Sequence, residues 1–122
     1  MVTHKIMLIE DDQAILDMMD LLLRKIGYEP VLAQDVSRAL EIVRSTPPDL
    51  VLLDIMMTPV NGWEFLDILR NELGIKDLPV ILFTASPLVD EKILFLNDRR
   101  LGVLNKPVSL EQLKAGIEKF LD

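Results

Sequence analysis

The 122-residue chain has no cysteine and only one histidine, one tryptophan and one tyrosine. Without cysteine there is neither a disulfide framework nor a thiolate metal site, which suits a reducing compartment. The one histidine, His4, lies near the N-terminus, where an exposed, idle position is expected. Apolar runs fall far short of a membrane span, and no basic-then-apolar signal segment opens the chain. A cytoplasmic location with no membrane partner is therefore expected. Lysine and arginine are too scattered, and the net charge of −7 too acidic, for direct contact with nucleic acid.

What the chain does have is aliphatic residues in short blocks. Hydrophobic residues make up 50% of the sequence and charged residues 27%, enough for one domain over residues 1–122 with its own core. The most telling block is Asp49-Leu50-Val51-Leu52-Leu53-Asp54, entered after Pro47-Pro48. Four consecutive aliphatic residues of this kind predict a strand buried on both faces of a parallel sheet. In open α/β sheets the ligand crevice lies at the carboxyl ends of the strands, and Asp54 stands at such an end.

The pattern around it alternates strands and helices. Lys5–Ile9 reads as strand 1, followed by Glu10-Asp11-Asp12 and a helix with Ala14, Ile15, Met18, Met19, Leu22, Leu23 and Ile26 on its apolar face, closed by Gly27. Tyr28–Ala33 reads as strand 2, and Asp35 as the N-cap of a second helix. After strand 3, Asn61-Gly62-Trp63-Glu64 has capping-box spacing for a third helix, with Phe65, Leu66, Leu69 and Leu73 facing inward. Val80–Phe83 is strand 4, a weakly periodic fourth helix spans about Val89 to Asn97, and Val103–Asn105 is strand 5. Ser109-Leu110-Glu111-Gln112 is a second capping box that opens the fifth helix. Five strands alternating with five helices predict right-handed crossovers and a doubly wound α/β fold with a parallel five-stranded sheet.

At the predicted carboxyl ends stand Glu10 and Asp11 after strand 1, Asp54 after strand 3, Thr84 after strand 4 and Lys106 after strand 5. If those strands lie side by side, the groups converge. Close carboxylates repel by roughly 4 kcal/mol per pair at an effective dielectric of about 20. Either their pKa values rise or a cation sits among them, and an all-oxygen donor set suits Mg²⁺. A lysine and a hydroxyl nearby suit a transferred phosphoryl group, for which an aspartate can be the nucleophile. Each residue also has a plainer role open to it. Asp11 and Asp12 could cap the first helix, and for Asp12 that reading is preferred.

Taken together, Glu10-Asp11, Asp54, Gly62, Thr84-Ala85 and Lys106-Pro107 closely resemble the receiver domain of two-component response regulators, over essentially the whole chain. The resemblance is to single-domain, CheY-like receivers and implies a flavodoxin-like sheet of order 2-1-3-4-5. It implies that Asp54 accepts a phosphoryl group from a phosphohistidine on a sensor histidine kinase or histidine phosphotransfer protein. Asp11, Asp54 and the backbone carbonyl of Met56 would hold Mg²⁺, with Glu10 assisting through water. Thr84 would hydrogen-bond the phosphoryl group and Lys106 would pair with it. Such a domain is not a classical enzyme, but it catalyses its own phosphorylation and dephosphorylation.

The sequence departs from the family in three places. The proline usual four residues after the phosphorylated aspartate is Thr58 here, with Pro59 after it. The aromatic switch position of strand 5 is Val103, and Arg99-Arg100 replaces the usual small Gly-Ala pair. The chain stops after the fifth helix, so output through contact with an unidentified downstream protein is expected, unless the chain is a fragment of a longer one. A pseudo-receiver, an interaction module without phosphotransfer, is the main alternative. A phosphatase of the haloacid dehalogenase type would need a second aspartate two residues after Asp54, where Met56 stands.

Overall fold

Strands made of aliphatic residues alone need cover on both faces, and the fold supplies it. The structure, a computed structural model, describes residues 3–54, 62–84, 98–105 and 108–121, with backbone only for Thr84. The strands are β1 (Lys5–Ile9), β2 (Glu29–Ala33), β3 (Leu50–Asp54), β4 (Val80–Thr84) and β5 (Leu101–Asn105). All pair in parallel, in the order β2-β1-β3-β4-β5.

The helices are α1 (Gln13–Lys25), α2 (Val36–Ser45), α3 (Gly62–Asp67) and α4 (Leu110–Leu121). The expected fourth helical segment lies outside the described residues, so α4 is the fifth helix of the sequence reading.

Side-chain alternation along β1 and β3 divides the core in two. Ile6, Leu8, Leu50 and Leu52 face α1 and α4, whereas Met7, Ile9, Val51 and Leu53 face α2 and α3. Every one of these eight side chains is at most 2% exposed, so the central strands have no solvent face at all.

Local signals set the helix ends. The Asp12 carboxylate accepts from the N–H groups of Ala14 (2.9 Å) and Ile15 (3.3 Å), and Asp35 accepts from the N–H of Arg38 (2.8 Å). Ser109 and Gln112 form the reciprocal capping box, with bonds of 3.0 and 3.1 Å. Gly27, at φ 94°, closes α1 with the two bonds of a Schellman motif: its own N–H donates to Arg24 and the N–H of Tyr28 donates to Leu23.

Two helices differ from the sequence reading. The inward stripe of α1 is Leu16, Met19 and Leu23, while Met18 is 52% exposed. Apolar residues run nearly all round this helix, so periodicity alone could not fix its phase. The third helix is α-helical only as far as Asp67 and continues as a π-turn, Ile68–Glu72. Its inward residues are Phe65, Leu66, Leu69 and Arg70, with Arg70 buried where Leu73 was expected.

Candidate functional site

In a parallel sheet every strand delivers its last residue to the same edge. Ile9 pairs with Leu53, and one step beyond that pair come Glu10 and Asp54. Both follow the alternation of Leu8 and Leu52, so they share a face of the sheet. Thr84 is the final residue of β4 and pairs with Asn105 at the end of β5. Lys106 follows Asn105 in the chain; Lys106 and Met56 lie outside the described residues.

Glu10 is 3% exposed and Asp54 is 8% exposed, which is rare for carboxyl groups. The N–H of Glu10 donates to the carbonyl of Ala33 (3.1 Å), which ties the residue to the end of β2. Its Oε1 accepts from the N–H of Asp12 (3.2 Å), so the turn that caps α1 also holds this carboxyl.

Burial, first, and then the hydrogen bond and the charge of Asp54 push the Glu10 carboxyl up to about 8. A hydrogen bond to Asp11 acts in the same direction, and the Asp12 N–H opposes it. At neutral pH Glu10 therefore retains a proton beside Asp54. Asp11 itself is exposed at the rim.

The structure thus buries Glu10 and Asp54 at neighbouring strand ends, where Asp54 and Asp11 both act on the Glu10 carboxyl, and sets Thr84 at the same sheet edge. Among the described residues, no group of three or more His, Asp or Glu side chains is gathered as a metal cluster. The donor chemistry nonetheless fits a hard divalent cation. The donors are all oxygen, and a positive charge would remove the repulsion that now keeps a proton on Glu10.

Sequence reasoning missed the brace on Glu10 from the Asp12 N–H, because a residue read as a helix cap was not asked what its own backbone donates to. It also missed Arg70. A charged residue four positions after Leu66 and next to Leu69 lies on the apolar face, and that spacing was the available signal.

Comparisons with known proteins agree with this fold. The family model described as "Response regulator receiver domain" matches residues 6–118. The chain is 35% identical over 117 residues to the response regulator MprA of Mycolicibacterium vanbaalenii, covering 96% of this chain and 50% of that protein. It is 30% identical over 118 residues to the phosphate regulon transcriptional regulatory protein PhoB of Klebsiella pneumoniae, covering 97% of this chain and 52% of that protein. The chain thus spans about half the length of these curated relatives. Among solved structures, the N-terminal domain of a response regulator receiver protein from Methanoculleus marisnigri superposes with a TM-score of 0.79 at 36% identity, covering 97% of this chain and 96% of that one. A CheY-like receiver domain protein from Methanospirillum hungatei gives 0.86 at 26%, covering 99% and 95%. The chain belongs to the receiver domain family of two-component response regulators.

Proposed function

We propose that Asp54 is the phosphoacceptor of this receiver, taking a phosphoryl group from a phosphohistidine on a histidine kinase or histidine phosphotransfer protein. The observation that carries this reading is the placement of Asp54: a buried carboxyl at the carboxyl end of the central strand β3, beside the buried Glu10, in a chain of the receiver family.

In the reaction a carboxylate oxygen of Asp54 attacks phosphorus and forms the acyl-phosphate P–O bond. The P–N bond of the donor breaks, and the imidazole leaves with the electron pair and takes up a proton. Asp54 must be ionised to attack, and its negative charge is one of the causes that raise the neighbouring Glu10 carboxyl. Mg²⁺, when bound, would neutralise charge on the carboxylates and on the transferring phosphoryl group. Glu10, Asp11 and Asp54 would hold it together with the backbone carbonyl of Met56. Thr84 would donate its hydroxyl to the transferred group, and Lys106 would pair with it.

Output would pass to a downstream protein through the surface. Beryllofluoride, a mimic of the acyl phosphate, tests the site without turnover. With Mg²⁺ it should bind wild type and shift the amide resonances around Asp54, and Asp54→Asn should not respond. A silent wild type would favour the pseudo-receiver reading.

A further inference from the structure

Residues 10–12, which link β1 to α1, are tied on both sides to the end of β2. On one side the N–H of Glu10 donates to the carbonyl of Ala33 (3.1 Å), the last residue of β2. On the other, the next residue along, Gln34, donates from Nε2 to Oε1 of Gln13, the first residue of α1. Gln13 in turn donates from its own Nε2 to Asp17 Oδ1 (2.8 Å), one turn along the helix. The direction of this relay is set by chemistry. The Asp17 carboxylate can only accept, so Gln13 turns its Nε2 toward it and leaves Oε1 to receive Gln34.

Gln34 is itself held on both sides. It follows β2 and precedes Asp35, the N-cap of α2, whose carboxylate accepts from the N–H of Arg38 (2.8 Å). Within α1, Ile15 and Leu16 are the first residues that pack on the core. Gln13 lies ahead of them, on an open crevice of about 450 Å³ that it lines together with Gln34, Leu16 and Leu32. The two amides bridge that crevice. Bonds from Asp12 to Ala14, Ile15 and Glu10 hold the acidic loop together from within, and the Gln34 amide ties its far end to the sheet edge. Two adjacent residues, Ala33 and Gln34, thus set the span of the loop that carries Asp11. Mg²⁺ demands near-ideal octahedral geometry, so a small displacement of one carboxylate weakens its binding.

We propose that Gln34 is a positioning residue for the acidic loop: through Gln13 it fixes the placement of Asp11 and so sets the affinity of the site for a divalent cation. The inference rests on the phosphoacceptor reading above, in which Asp11 is a cation ligand.

The test is Mg²⁺ affinity without any phosphodonor, followed by the amide NMR shifts of residues 10–13 and 54, for wild type, Gln34→Met, Gln13→Met and the double variant. Methionine keeps the length of the side chain and removes the amide. Both positions are exposed, so folding should be retained by circular dichroism, and Gln13→Met carries the test alone if Gln34→Met does not fold. Each single change should raise the dissociation constant roughly threefold, the scale of one hydrogen bond between exposed groups, and the double variant should bind no more weakly than Gln13→Met. In phosphoryl uptake from acetyl phosphate, the Mg²⁺ concentration for half-maximal rate should rise by the same factor, with the rate at saturating Mg²⁺ close to wild type. Unchanged affinity in Gln34→Met, losses that multiply in the double variant, or a lower saturating rate at unchanged half-saturation would each overturn the proposal and leave Asp54 as phosphoacceptor. A wild type that binds no Mg²⁺ would overturn it as well, and one that also takes up no phosphoryl group would overturn the phosphoacceptor reading with it.

Discussion

Glu10 and Asp54 stand one residue beyond the paired Ile9 and Leu53 on adjacent parallel strands, both buried, with the charge of Asp54 acting on the Glu10 carboxyl. Two acids so placed cannot both ionise without strong repulsion, and the proton stays on Glu10.

That proton makes stability depend on pH. The folded Glu10 carboxyl titrates at about 8, against 4.5 for the ordinary group. Between these values the unfolded chain has released the proton and the folded chain has not. The unfolded state then binds fewer protons, so stability falls as pH rises across this window. In EDTA, urea midpoints should drop between pH 5 and 8 by an amount on the order of a few kcal/mol, and Glu10→Gln should flatten the trend. A wild-type midpoint that rises over that range would contradict the assignment.

The Asp12 side chain caps α1. Asp12→Ala removes the acceptor for the Ala14 and Ile15 N–H groups but leaves the backbone N–H that holds Glu10. The expected result is a loss of about 1 kcal/mol in chemical denaturation, with phosphoryl uptake from acetyl phosphate close to wild type. A tenfold slower uptake at unchanged stability would instead place Asp12 in the chemistry.

Val103 occupies the position where many receivers turn an aromatic ring inward. It packs, half-buried, against the core cluster beneath α2 and α3. A branched aliphatic side chain has no ring to rotate between two sites. Amide shifts on activation should therefore be small at residues 101–104 compared with those around Asp54. NMR spectra with and without beryllofluoride check this, and shifts centred on Val103 would show that β5 switches by another route.

Much of this arrangement was legible in the sequence because strong local signals agreed with the global pattern. Leu50 to Leu53 could only be a strand covered on both sides, and Asp12, Asp35 and Ser109 cap the helices they were assigned to. The convergence of Glu10 and Asp54 followed from strand order, which the resemblance supplied and the sheet reproduces. The phase of α1 was not legible, because Ile15, Leu16, Met18, Met19 and Leu21 to Leu23 leave no clean polar face. Nor was the π-turn, which widens the closing bond so that the N–H of Leu73 reaches Ile68, with no glycine or proline inside Ile68–Glu72 to announce it. Arg70 escaped because its burial depends on three partners outside its own helix: Ile75, Asp98 and Arg100.

The central claim is that Asp54 carries the phosphoryl group, and intact mass tests it most directly. Wild type and Asp54→Asn would be incubated with acetyl phosphate and Mg²⁺ and measured side by side. One added phosphoryl group is expected on wild type and none on Asp54→Asn. Equal gain on both proteins, or no gain on a wild type that also fails to bind beryllofluoride, would contradict it.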